Sequence, residues 1–168
     1  MSKLCRLWKI NGEDMEVKFH GLARLLDVLR DTVGVMSLKE GCGEGECGAC
    51  SVLINGEVHL ACLVAAAQLD DGAELLSAEG LEATELGHDL SEALDGGGAV
   101  QCGYCTPGVL VGSYALLSNP GPVPTEQEIR VGLAGHLCRC TGYSKIVSSV
   151  GEAARSSNPD PDAGEVGR

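Results

Sequence analysis

Apolar and polar residues alternate over two runs near the start of the chain, residues 4–10 and 15–19, around Asn11-Gly12-Glu13-Asp14. A period of two across a turn-forming tetrapeptide predicts a β-hairpin. Trp8 falls on that alternation and reads as a core or interface residue. The period then changes. Leu22, Leu25, Leu26 and Leu29 recur at helical spacing, which predicts a helix over residues 22–31. A loop rich in glycine and cysteine fills residues 40–50. A second hairpin is predicted from residues 51–54 and 57–61 around Asn55-Gly56, and one more strand over 73–78.

Beyond residue 78 the pattern is helical. Residues 86–94 end at Gly96-Gly97-Gly98, a strong stop. Thr106-Pro107 predicts the start of a helix running to Leu117, with Thr106 as its cap. Asn119-Pro120-Gly121-Pro122 marks a turn. Thr125 and Glu128 have the spacing of a capping box for a helix over about residues 126–133. A fourth helix is predicted over 143–155. The chain therefore divides into a small α+β unit (1–78), a four-helix unit (79–155) and a polar tail (156–168). The tail is expected to be disordered or laid on a partner.

Charge and composition narrow the function. Twelve Lys+Arg stand against 24 Asp+Glu, a net charge of −12, and aromatic residues make up 3% of the 168. Nucleic-acid binding needs clustered cations and stacking rings, so it is not expected. No apolar run approaches the ~20 residues of a membrane span. The first residues lack a hydrophobic leader, which predicts a cytoplasmic, reducing location. There the nine cysteines are better read as metal ligands than as disulfides.

Eight of the nine fall into two sets, one in each unit. Cys42, Cys47, Cys50 and Cys62 have the spacing C-x4-C-x2-C-x11-C. The first three match the plant-type 2Fe–2S loop. A tight loop can wrap three thiolates around a rhomb of two irons and two sulfides, leaving the fourth to come from elsewhere. Gly41, Gly43, Gly45 and Gly48 let the backbone turn so that N–H groups point at sulfur. The second set is Cys102, Cys105, Cys138 and Cys140: CxxC, a gap of 32 residues, then CxC. Its cysteines flank predicted helix ends, where N-termini favour thiolates. Taken alone, this set suits zinc as well as iron–sulfur. Cys5 is left over and is expected to be a buried strand thiol.

Three motifs in order are then informative: Glu40-Gly41-Cys42-Gly43-Glu44-Gly45-Glu46-Cys47-Gly48-Ala49-Cys50, Gln101-Cys102-Gly103-Tyr104-Cys105-Thr106-Pro107-Gly108, and Leu137-Cys138-Arg139-Cys140-Thr141-Gly142-Tyr143. Over about residues 4–155 the chain closely resembles the iron–sulfur subunit of the molybdenum hydroxylases, the xanthine dehydrogenase family. The resemblance implies a plant-type ferredoxin-like β-grasp domain followed by a helical 2Fe–2S bundle, so that both cysteine sets hold clusters. It implies a large subunit carrying the molybdopterin-type molybdenum cofactor and an FAD-binding subunit, joined in a hetero-oligomer. Gln101 and Cys140 match family positions that contact the molybdopterin. Electrons would pass from molybdenum through both clusters to FAD. Glu44-Gly45-Glu46 resembles the loop of purine and N-heterocycle hydroxylases, so the implied substrate is xanthine-like, another N-heterocycle or an aldehyde.

The competing readings are a zinc-stabilised interaction module and a free-standing ferredoxin. His136, two residues before Cys138, invites comparison with a histidine-ligated cluster, but its set is already complete; it reads as a surface or packing residue. Tyr104 is expected to pack beside the second set. Arg139, between two ligands, either raises that cluster's potential or faces solvent.

Overall fold

The computed structural model describes residues 3–119 and 121–157. Strands β1 (Lys3–Ile10) and β2 (Glu13–His20) form the first hairpin. Ile10 pairs with Glu13, so the turn is the two residues Asn11-Gly12, shorter than the tetrapeptide predicted. Both have positive φ (51° and 88°), the geometry that matches strand twist in a two-residue turn. Strands β3 (Ser51–Ile54) and β4 (Glu57–Leu60) repeat the device on Asn55-Gly56. Strand β5 (Glu74–Leu76) lies between the hairpins, parallel to β1 and antiparallel to β3. The sheet order is β2-β1-β5-β3-β4.

Side-chain parity decides what this sheet buries. Trp8 and Ile10 of β1 point inward, and the Trp8 ring stacks on Phe19 at 5.1 Å between centroids. Odd-numbered residues of β1 point outward. Cys5 is therefore exposed, which corrects the expectation of a buried thiol. The inward face is covered by α1 (Leu25–Asp27), which continues as a π-helical stretch over Val28–Val33 and ends at Gly34. Leu25, Leu26, Val28 and Leu29 complete this first core. The helix starts three residues later than predicted. Arg24 is extended and bridges to Ala65, so Leu22 stays outside at 77% exposure.

A short helix α2 (Ala78–Leu81), not predicted, leads into α3 (Glu85–Gly96), capped by the Thr84 side chain. Helix α4 (Thr106–Leu117) is apolar around most of its circumference and correspondingly central, with Gly108–Ser113 all buried. Its N-cap is Cys105, not Thr106, and Pro107 sits in the first turn. Helix α5 (Glu126–Gly132) has the predicted capping box between Thr125 and Glu128. Helix α6 (Ser144–Ser157) extends through the first two residues assigned to the tail; residues 158–168 lie outside those described. Leu90, Leu94, Val111, Ile129, Ile146 and Val150 form a second core. Leu53 of β3 belongs to that core as well, and α4 packs on β3, so sheet and helices share one boundary. The architecture is thus α+β: a mixed sheet with helices.

Candidate metal centres

The loop before β3 carries three cysteines of the first set. Gly43, Gly45 and Gly48 all have positive φ, which winds the chain tightly enough to present Cys42, Cys47 and Cys50 together. Cys62 follows β4. The backbone N–H groups of Glu44 and Glu46 donate to Cys42 Sγ at 3.4 and 3.3 Å. Those two donors, joined by Cys47, pull the Cys42 thiol down to about 7. Burial pushes Cys50 the other way, up to about 11. The loop is anchored behind by Arg24, whose guanidinium donates to both Asp27 and Glu40 and is held protonated by them.

The second set is built on two helix starts. Cys102 and Cys105 precede α4; Cys138 and Cys140 precede α6. The Cys138 N–H donates to the Tyr143 hydroxyl at 2.7 Å, and Cys138 Sγ lies 3.1 Å from Thr141 Oγ1. Gly142 and Tyr143 both take positive φ to make this turn. Burial works to raise the Cys138 thiol, but hydrogen bonds from Thr141 and Cys140 outweigh it and bring it to about 7. At Cys105 burial wins and pushes the thiol up to about 12, despite the helix N-terminus expected to favour thiolate. The adjacent Cys102 sulfur raises Cys140.

Within each set the sulfurs sort into two pairs. Cys102 and Cys140 lie 3.6 Å apart, and Cys105 pairs with Cys138. Cys42 pairs with Cys47, and Cys50 with Cys62. Two thiolates sharing one tetrahedral metal, with bonds of about 2.3 Å, stand about 3.7 Å apart. Two pairs per set is the donor arrangement of a binuclear rhomb, so these residues fit a 2Fe–2S group at each site.

The two sites adjoin. The Leu137 N–H, one residue before Cys138, donates to the Cys47 carbonyl at 2.9 Å. The Tyr104 hydroxyl, between Cys102 and Cys105, donates to the Glu40 carbonyl at 2.7 Å. His136 is 8% exposed and lies 3.1 Å from Ser51 Oγ across the same boundary. It is a packing residue, not a surface one. Arg139 and Gln101 are exposed at the outer edge of the second set. The sequence reading missed these cross-links. Each joins residues far apart in the chain, so no local signal marks them.

The model of the 2Fe-2S iron-sulfur cluster binding domain matches residues 7–92, and that of the [2Fe-2S] binding domain matches residues 77–151. The nicotinate dehydrogenase small FeS subunit of Eubacterium barkeri is 43% identical over 150 residues, 89% of this chain and 94% of that one. The xanthine dehydrogenase iron-sulfur-binding subunit of Escherichia coli O157:H7 is 44% identical over 143 residues, 84% and 88% of the two chains. The aldehyde oxidoreductase of Desulfovibrio gigas superposes with a TM-score of 0.85 at 34% identity. The match covers 92% of this chain but 17% of that longer one. With paired sulfurs in both sets and this identity over nearly the whole of comparable chains, the protein belongs to the iron–sulfur subunits of the molybdenum hydroxylase family of oxidoreductases.

Proposed function

We propose that the chain is the electron-relay subunit of a molybdenum hydroxylase complex. Cys42, Cys47, Cys50 and Cys62 would hold one 2Fe–2S cluster, and Cys102, Cys105, Cys138 and Cys140 the other. The observation that carries this reading is the meeting of two complete four-sulfur sets across the Leu137–Cys47 hydrogen bond. When bound, such clusters supply one-electron transfer at potentials set by charge, hydrogen bonds and exposure.

The chain's own residues tune and connect the two sites. The Glu44 and Glu46 N–H groups stabilise negative charge on Cys42. The Thr141 hydroxyl does the same for Cys138, while the Tyr143 hydroxyl accepts from the Cys138 N–H and fixes the turn. Leu137 N–H and Cys47 C=O join the ligand loops by one covalent and hydrogen-bonded path. On this reading residues 1–78 are a ferredoxin-like β-grasp domain, 79–155 a helical cluster-binding bundle and 156–168 a tail. Leu63, Tyr104 and Leu137 are 62, 48 and 54% exposed beside the ligand loops, which suits docking on larger partners. Those partners are a molybdopterin-binding large subunit on the Gln101 side and an FAD subunit on the other. On this reading the complex works in the cytoplasm, where thiols stay reduced for iron. A nitrogen heteroaromatic is the favoured substrate class: Glu44-Gly45-Glu46 suits it, and nicotinate and xanthine, named in two relatives, both belong to it.

The test is composition. The isolated protein should hold four irons and four acid-labile sulfides per chain, two of each from each set. It should be red-brown and should give two resolvable EPR signals on reduction. Two irons with one zinc would overturn the assignment of the second set.

Gln101→Ala tests the molybdenum side. The side chain is exposed next to Cys102 and ligates nothing, so cluster content should not change. Its amide offers both a donor and an acceptor to a pterin edge, and losing that pairing should cost ~1–3 kcal/mol of cofactor binding. The expected result is lower molybdenum content with all iron retained and normal dithionite reduction. Full molybdenum content together with wild-type reduction by substrate would leave Gln101 a structural role only.

A further inference from the structure

His136 belongs to neither ligand set, yet it touches both loops. Its N–H donates to the Leu133 carbonyl, which fixes its backbone just before Leu137 and Cys138. Its ring lies between two glycines. A methyl group at Gly48 would come within 2.8 Å of His136 Cδ2, and one at Gly112 within 2.4 Å of Cε1. Side-chain-free positions on both sides leave a slot the thickness of the imidazole. Gly48 directly follows Cys47, so one wall of that slot is the first ligand loop, and the other is helix α4, which starts at the second set.

Hydrogen bonding fixes the ring as well. Ser51 Oγ donates its single proton to the Gly48 carbonyl at 2.7 Å. It can therefore only accept from His136, at 3.1 Å, which places the ring proton on Nε2. The chain of bonds runs Nε2–H to Ser51 Oγ–H to the Gly48 carbonyl. Nδ1 is left a buried acceptor with no partner among the described residues. Unpaired buried nitrogen is unfavourable, and packing alone would be met better by an apolar side chain. The donor on the opposite edge is what an apolar residue would lack.

We infer that His136 is a positioning residue for electron transfer between the two cysteine sets: wedged between Gly48 and Gly112 and bonded to Ser51, it sets how closely the Cys47 and Cys138 loops approach. The inference rests on both sets holding clusters. It differs from a general packing role because spacing between two paramagnetic centres is directly readable.

The test uses the assembled holoprotein with His136→Ala, His136→Gln and Gly112→Ala. Iron content and the g-values of each signal report on the clusters themselves. Spin–spin splitting in the fully reduced protein, and the rate of electron redistribution after partial reduction, report on their spacing. His136→Ala should keep its iron and g-values, lose or narrow the splitting, and slow redistribution several-fold. His136→Gln keeps a donor of similar reach and should restore much of both. Gly112→Ala pushes the ring from the other side and should shift the splitting. Full iron with wild-type splitting and rates in His136→Ala and Gly112→Ala overturns the inference. So does loss of iron in all three variants, which would make His136 a structural support. If His136→Ala alone loses iron, the other two decide by the same readings: a shifted splitting supports the inference, and an unchanged one overturns it. Wild-type protein without four irons would instead overturn the cluster reading beneath it.

Discussion

Trp8→Ala is expected to destabilise the protein by ~3–5 kcal/mol, the cost of emptying a fully buried aromatic site. Trp8 is 0% exposed and stacks on Phe19, and its strand has neighbours on both sides, β2 and β5. The cavity would open within the first core, whose other members include Leu25, Leu26 and Leu29. Against a total stability of ~5–15 kcal/mol, that loss brings the variant close to unfolding. Trp8→Phe should cost much less. It keeps a stacked ring, and it removes an indole N–H that is buried without a hydrogen-bond partner among the described residues. Urea unfolding of the holoprotein, followed by far-UV circular dichroism and by bleaching of the visible absorption, gives both midpoints. A wild-type midpoint for Trp8→Ala would remove Trp8 from the centre of the first core.

Where local chemistry dictates structure, the sequence was readable. Asn55-Gly56 specified a hairpin turn because both residues had to take positive φ, and Asn11-Gly12 did so within a tetrapeptide that proved two residues too long. Thr125 and Glu128 specified a helix start because each satisfies the other's backbone. The grouping of eight cysteines into two spaced clusters was visible in the sequence, and the structure seats one group around β3 and β4 and the other before α4 and α6. Where tertiary contacts compete with local pattern, the reading failed. Leu22 fits the helical period of Leu25, Leu26 and Leu29, but the bridge from Arg24 to Ala65 holds the chain extended until Leu25. Cys5 was misplaced although the answer lay in parity: Trp8 inward forces an odd-numbered neighbour outward. The division of each set into sulfur pairs was not legible, because pairing depends on where loops cross. His136 was beyond reach for the same reason, since its partner Ser51 is 85 residues away.

Adjacent residues of the first loop should give opposite outcomes, and that contrast tests whether the two sites are separable. Cys47→Ser removes one thiolate and little else. The Cys47 group that reaches the second site is its backbone carbonyl, which accepts from Leu137 and is present in serine too. The first set would be left with three sulfurs, and serine is a poor replacement for a thiolate that must be deprotonated at neutral pH. The expected result is loss or marked change of one EPR signal, a fall in iron from four per chain toward two, and survival of the other signal. The second set survives because its sulfurs are seated on α4, α6 and a separate core. Gly48→Val ligates nothing but should damage both sites. Its φ of +70° is strained for valine, and even the first carbon would come within 2.5 Å of the Gly135 carbonyl and 3.0 Å of His136 Cα. Relief requires the two ligand loops to separate, which breaks the Leu137–Cys47 bond and moves the loop leading into Cys138. Iron assay and EPR of the reduced holoprotein distinguish the two variants. One lost signal for Cys47→Ser and two disturbed signals for Gly48→Val would establish sites that assemble separately but share a rigid contact. Loss of both signals in Cys47→Ser would instead make the two sites a single assembly unit.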